Sequence, residues 1–547
     1  MHKSVAITGV WVCLLGMITA VRAQNAYWIY FTDKQQTPYS LDNPAAFLSP
    51  DAINRRQQHN ISIRTADLPV NPAYVNQVEA LGLKIRKVSK WLNAVSVEAA
   101  DPTMLANAAA LDCVASVDAV MQYSILPDVP VAVETHTFYR TSEDATTFYG
   151  SADNQNRMIG VDFLHGLGYR GQGVKIAVLD GGFYGVDWGS GFQSLRDKEQ
   201  IREVFNLPDN NTDVYISSTH GSNVLSIMAV DVPGTYVGSA PDAEYYLFRT
   251  EVTSSEYVVE EDYWLAAAEY ADSIGADIIN SSLGYTTFDD PAQDHTYADM
   301  DGNTTVVTRA ADMAAAAGIL VVNSAGNSGD DEWNFIGAPA DGDSVFTIGA
   351  VDLNGLYASF SSEGPTSDGR IKPNVVGQGA GTAVMTADGI VGFGSGTSYS
   401  SPLIAGACAS LMSAFPELTN MQVIDLLQAT ASRAAFPDNQ YGFGIPSFAG
   451  AYLRQSGVAL NESSVMTILP NPASDAVTVF ISGVEQVSAS IGLFDMSGKK
   501  IAEEVYPMTE GDLHAVRFTG LEQVSAGIYF LRLMGDSFTE TRLLSVQ

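Results

Sequence analysis

The spacing of apolar and polar positions changes three times along the chain, and each change marks a different kind of unit. Residues 174–180 (V-K-I-A-V-L-D) form a short, mostly apolar and β-branched run closing on an acid and two glycines, the pattern of a strand buried on both faces. Similar runs return at 244–249, 277–281 and 319–323. Between them, 260–274 and 305–317 repeat apolar residues at helical spacing and stop at Gly275 and Gly318. This alternation predicts a parallel sheet covered by helices on both faces, with ligands beyond the carboxyl ends of its strands. Ahead of it, strand-like runs at 27–32, 84–89, 93–99 and 113–120 enclose helical stretches at 72–81 and 104–111, a compact split βαβ unit. After Gly450 the period shortens to two at 477–481, 488–494, 514–518 and 528–534, with turns such as Met496-Ser497-Gly498-Lys499 between runs, which predicts a small β-sandwich.

A chain of 547 residues exceeds one ordinary core. The expected divisions are a signal peptide at 1–23, an α+β domain and connector at 24–145, the α/β domain at 146–455 and the sandwich at 456–547. Lys3, an apolar stretch at 5–20 and Val21-Arg22-Ala23 before Gln24 carry the first of these. Residues 128–150, poor in large aliphatics, read as an exposed connector open to cleavage. No other run is long and apolar enough for a membrane span in the mature chain.

The net charge of −34 excludes nucleic acid as a partner, because such proteins need a basic footprint. Most of the acidity falls within 146–455, where it suits solubility in an external medium and leaves room for carboxylates that hold structural calcium. Three cysteines, Cys13, Cys113 and Cys408, are too few and too far apart for a disulfide framework. With no paired Cys-x-x-Cys and no His-Glu-x-x-His, no metal is expected at a reaction centre.

Three residues carry candidate chemistry. In 394–402 (G-S-G-T-S-Y-S-S-P) a tight glycine loop feeds the apolar run 403–415, so Ser398 sits at a helix N-terminus, where unpaired N–H groups stabilise a developing anion. Asp180 ends its strand, and His220 opens a second helix that runs into 224–230. Singly, they read as a helix cap, a turn acid and a helix-start histidine. Together they supply a hydroxyl, a base and an acid to orient it, the parts of an acyl-transfer site. An esterase of the α/β-hydrolase type would need the order Ser, Asp, His and a G-x-S-x-G elbow, and neither is present.

The motifs A-V-L-D-G-G around Asp180, H-G-S-N-V around His220, S-A-G-N-S-G at 324–329 and G-T-S-Y-S-S-P around Ser398 stand in one order. In this the stretch of roughly 140–455 resembles the subtilisin-like serine proteases, the subtilase family. The resemblance implies a secreted endopeptidase that forms an acyl-enzyme on Ser398, with His220 as general base and acid and Asp180 orienting it. Asn327, which could also be a simple turn residue, would donate to the oxyanion beside the Ser398 N–H. Ser282, Leu283 and Gly284 would pair with the substrate backbone, and Ala325 and Gly326, with 337–339, would wall the pocket. It implies no cofactor for catalysis and leaves structural calcium open. Asp330, Asp331 and Glu332 read either as a selector of basic side chains or as a solvated loop. Tyr399, Ser400 and Leu403 depart from the family pattern without removing a catalytic group.

The unit at 24–145 resembles the family's propeptide, an inhibitor and folding aid that is cut away. L-P-N-P-A at 469–473, L-F-D-M-S-G at 493–498 and G-I-Y-F-L at 527–531 resemble the sorting domains of the type IX secretion system of Bacteroidetes. The implied partners are protein or peptide substrates and that secretion machinery, and the implied location is the cell surface or medium, reached through the periplasm. The alternative reading is a surface binding or adhesion protein on an inactive protease scaffold.

Overall fold

The computed structural model describes residues 23–99, 102–124, 148–216, 218–457, 466–469, 471–481, 488–507, 514–535 and 539–547. The expected signal peptide, save Ala23, and most of the 128–150 connector lie outside the described residues.

Seven parallel strands form the central sheet, in the order Val375–Gln378, Phe346–Val351, Leu320–Ser324, Ile278–Ser281, Lys175–Asp180, Glu244–Arg249 and Ile201–Asn206. Alternate residues of each strand enter two different cores. Ile176, Val178, Leu247 and Val322 pack with the helices His220–Ala229 and Thr397–Ala414 on one face. Ala177, Leu179, Phe248 and Val321 pack with Val259–Ile274 and Val306–Ala316 on the other. Burial on both faces is why these runs read as almost continuously apolar. The helix boundaries follow local chemistry: the Thr305 hydroxyl accepts from the Thr308 N–H at 3.1 Å, and Gly275 closes Val259–Ile274 at φ +92°. After Glu244–Arg249 that helix carries the chain across to the far side of Lys175–Asp180. The strand order reverses there, which opens a crevice at the carboxyl ends of Lys175–Asp180 and Ile278–Ser281.

The N-terminal unit is an antiparallel sheet in the order Lys84–Ser89, Ala94–Glu98, Ala23–Phe31 and Val114–Ser124. Ile29, Phe31, Val95 and Val97 face its own helices, Pro72–Ala80 and Pro102–Ala109. Ala26, Trp28, Trp91 and Ala94 instead share a core with Val259–Ile274 of the large domain. That helix also presents three buried carboxylates to the N-terminal unit. Asp262 accepts from Trp28 Nε1 (2.8 Å) and Ser96 Oγ (2.9 Å). Glu269 accepts from the N–H groups of Lys90 (2.9 Å) and Trp91 (3.0 Å). Asp272 takes Arg55 (2.6 Å), Arg56 (2.9 Å) and Lys90 (2.7 Å). Arg55 and Arg56 belong to a further helix, Pro50–Gln58, whose polar composition gave no sign of a buried face.

The C-terminal unit is a two-sheet sandwich. Met466–Leu469, Val477–Ile481 and His514–Phe518 form one sheet, and Lys500–Pro507, Ser488–Phe494, Gly527–Met534 and Thr539–Val546 form the other, around Val479, Ile491, Leu531 and Leu544. Phe480 stacks on Phe163 of the large domain at 6.0 Å between ring centroids.

Removing Asp272 would leave Arg55 and Lys90 without their carboxylate in a buried interface, Arg56 keeping Asp67 at 2.7 Å, a change that costs about 3–5 kcal/mol for a broken buried pair. Asp272→Ala should therefore lower the unfolding free energy of the intact chain by about that amount, seen as a lower urea midpoint, while a midpoint equal to the native one would show the cluster to be energetically idle.

Candidate active site

Asp180, the last residue of its strand, is 1% exposed. Its Oδ1 accepts from the Gly181 N–H at 2.7 Å, and both carboxylate oxygens lie 2.9 Å from His220 Nδ1. The close approach of helix to strand depends on Gly221, where a Cβ would stand 2.4 Å from the Gly182 carbonyl and 3.0 Å from Asp180 itself. His220 opens its helix, and its N–H donates to Ser218 Oγ at 3.0 Å. With Nδ1–H given to Asp180, the neutral ring carries its lone pair on Nε2. Burial pulls the His220 pKa down, but the Asp180 charge and hydrogen bond, with Glu251 further off, outweigh it and leave the pKa above the ordinary value.

Ser398 lies in the first turn of Thr397–Ala414. Its hydroxyl donates to the Ser282 carbonyl at 3.4 Å, and Ser282 Oγ donates back to the Ser398 carbonyl at 3.0 Å. Asn327 Oδ1 accepts from the N–H (2.8 Å) and hydroxyl (2.9 Å) of Thr397, which fixes the amide beside the helix end. Ser398 and Asn327 line a cleft of about 160 Å³ together with Ser282, Leu283, Gly284, Ala325 and Gly326. Gly326 has φ +108°, and a Cβ there would meet Ser362 Oγ at 2.8 Å. Any side chain at this wall is therefore both strained and blocked. The two halves of the site meet at Tyr399, the neighbour of Ser398, whose ring centroid is 6.2 Å from that of His220.

Residues 171–444 match the model of the Subtilase family. Subtilisin E of Bacillus subtilis (strain 168) is 30% identical over 354 residues, covering 64% of this chain and 78% of that protein. The chain belongs to the subtilase family. It is a serine endopeptidase by that membership. The subtilisin of Bacillus pumilus is 32% identical over 272 residues, 49% of this subtilase and 87% of the relative. Among solved structures, the epidermin leader peptide processing serine protease of Staphylococcus aureus shares the fold at 16% identity and a TM-score of 0.53, covering 80% of this chain and 100% of that one. Residues 26–131 of the subtilase match a peptidase S8 propeptide domain of Bacteroidota, and 467–547 match a secretion system C-terminal sorting domain.

Four lining residues of the subtilase cleft, Thr286, Trp333, Phe335 and Ser362, were absent from the sequence reading. Trp333 and Phe335 were detectable as the bulky aromatics of an otherwise small and polar stretch, whereas Ser362 arrives from a distant loop and gave no signal. Asp330, Asp331 and Glu332 are exposed and do not line the cleft, as a solvated loop would have it.

Among the described residues, Glu251, Glu256 and Glu260 bring one carboxylate oxygen each within 4.8 Å of one another. By themselves they do not complete the shell of the calcium left open by the sequence. Glu251 Oε1 already accepts from Thr250 Oγ1 (2.7 Å) and Tyr285 OH (2.8 Å), and the Glu260 oxygens accept from the N–H groups of Val252 (2.7 Å) and Tyr257 (3.2 Å). One oxygen from each of three carboxylates falls short of the roughly six to eight that calcium takes. Burial pushes the carboxyls up, helped by the Asp180 charge at Glu251 and by Glu251 and Asp289 at Glu256, Glu251 to about 7 and Glu256 to about 8.

The His220 shift has a direct reading. In an NMR titration, its ring protons should change above pH 6.5 in the native protein and below it in Asp180→Asn, where burial acts without the compensating charge. Because the folded pKa is raised, the pair's contribution to stability is full below the unfolded value of about 6.5 and is lost as pH climbs through the folded one. Identical midpoints in the two proteins would contradict the coupling.

Proposed function

We propose that this subtilase hydrolyses peptide bonds through an acyl-enzyme on Ser398. The observation that carries the reading is the buried Asp180 paired with His220, whose ring lies 6.2 Å from that of Tyr399, the neighbour of a serine at a helix N-terminus that shares its cleft with Asn327. The Ser398 hydroxyl leaves the Ser282 carbonyl and gives its proton to His220 Nε2 as Oγ attacks the scissile carbonyl carbon. Asp180 holds the imidazole in the required tautomer and stabilises the imidazolium. The oxyanion accepts from the Ser398 N–H and the Asn327 amide, where the helix dipole favours negative charge. As the tetrahedral adduct collapses, His220 returns the proton to the leaving amine, and water then repeats the steps to release the acid. Ser282, Leu283 and Gly284 pair with the acyl side of the substrate as a strand, and Ala325, Gly326 and the segment 337–339 wall its side-chain pocket.

The signal segment and the sorting domain together direct the protein through the periplasm to the type IX machinery and on to the cell surface or medium. The N-terminal unit covers the Val259–Ile274 helix until it is cut away. An inactive binding scaffold would have no use for a buried acid held against an imidazole, so the adhesion reading is not favoured.

Ser398→Ala should abolish peptide hydrolysis, and full activity in that variant would end the assignment. Asn327→Ala should lower kcat by about 10²–10³ with little change in KM, a magnitude taken from the same donor in subtilisin itself rather than from this geometry. A matching rise in KM would make Asn327 a substrate-positioning group. A chain ending near residue 455 should hydrolyse peptides like the full one, since none of the sandwich's described residues lines the cleft, but remain in the periplasm of its native cell. Normal secretion of the shortened chain would refute the sorting role.

A further inference from the structure

Glu251 stands where the proton-transfer half and the substrate-binding half of the site meet. It follows Thr250, whose N–H donates to the Asp180 carbonyl at 3.0 Å. It also lies behind Gly181, where an added Cβ would be 3.8 Å from Glu251 Cβ. Its Oε1 accepts from the Thr250 hydroxyl at 2.7 Å and from the Tyr285 hydroxyl at 2.8 Å, both buried. Tyr285 directly follows Gly284, the end of the segment assigned to the substrate backbone. It also pairs with the pocket wall: its N–H donates to the Ala338 carbonyl at 2.8 Å, and the Ala338 N–H donates back at 3.3 Å. One carboxylate oxygen thus joins the end of the Asp180 strand to the acyl-side groove.

We propose that Glu251 is a positioning residue, which through Tyr285 holds the Ser282–Gly284 segment in register with Asp180 and His220, so that a peptide bound along that segment presents its carbonyl to Ser398. The proposal rests on the serine-protease reading of the site. It goes further in assigning the tie between the two halves to a residue that touches neither substrate nor the reacting atoms. A buried anchor suits the role because an acceptor shared by two hydroxyls fixes both donors without chain entropy left to spend. The groups facing Glu251 are Asp180 and His220 from the reaction side, Arg249 from its own strand end, Tyr285 from the groove, and Glu256 and Glu260 from the loop and helix beyond. Its carboxylate also adds to the field that raises His220.

The test compares Glu251→Leu, Glu251→Gln and Tyr285→Phe on two substrates: a peptide with four residues on the acyl side of the cleaved bond, and p-nitrophenyl acetate, too short to reach the groove. Leucine and phenylalanine should each raise KM for the peptide about tenfold while leaving ester hydrolysis within about twofold, since only the long substrate uses the groove. Glutamine keeps the acceptor oxygen and should restore the peptide KM. Native KM for the peptide in both Glu251→Leu and Tyr285→Phe would overturn the proposal, and so would equal losses on the two substrates, which mark general damage. Tyr285→Phe, nearly isosteric, keeps the test decisive if Glu251→Leu fails to fold. Ester hydrolysis by the native protein that disappears in Ser398→Ala upholds the serine reading whatever the Glu251 variants do.

Discussion

The carboxyl edge of the sheet depends on keeping the Asp180 carboxylate where water scarcely reaches it. An isolated carboxylate in such a place costs several kcal/mol, so its partners must be supplied by the fold. They come from three directions: the next N–H in the chain, the His220 ring, and the helix start that Gly221 lets settle directly on the strand. Each requires the parallel sheet, because only a strand buried on both faces ends in a crevice with a helix N-terminus on one side and the next strand's loop on the other. The same edge brings up Ser282 after Ile278–Ser281, and Ala325 to Asn327 after Leu320–Ser324. The site is therefore a property of strand ends, and among the described residues the sandwich and the N-terminal sheet contribute none of its groups.

The acidity of the large domain has a partial structural account. Three of its carboxylates face the N-terminal unit on one helix, and their environments differ. Burial outweighs the hydrogen bonds at Asp262 and pushes it up to about 7, whereas at Asp272 the effect of burial is overcome by Lys90, Arg55 and Arg56, which hold it below the usual carboxylate range. The N-terminal unit thus covers the large domain by matching its charges as well as by apolar contact. The same helix begins near Glu251 and Glu256, so the contact with that unit and the acyl-side groove share one element.

Much of this was legible in the chain. Asp180, His220, Asn327 and Ser398 each sit at a change from strand to loop or from loop to helix, and such changes are marked by glycines beside apolar runs. In the structure Asp180 lies 2.9 Å from His220, and Ser398 and Asn327 line one cleft. The helix Pro50–Gln58 was not foreseen because its buried face is made of arginines, and an apolar-period rule cannot see a face held by ion pairs. Lys500–Pro507 was missed for the opposite reason: it is an edge strand whose core face is only half-buried, with Ala502 and Tyr506 against the sandwich core and Glu503 and Glu504 between them, so its alternation is faint. Glu251 followed a strand as Asp180 did, but its role depends on Tyr285, 34 positions away, a contact that no local pattern announces.

The central claim is that one serine in this chain is made nucleophilic by the Asp180–His220 pair. Its most direct measurement is mass spectrometry of the active protein after reaction with a fluorophosphonate, which labels only activated serines. The account predicts one adduct per chain on the peptide containing Ser398, and none in His220→Ala. An adduct on a different serine, or labelling that survives loss of the imidazole, would contradict it.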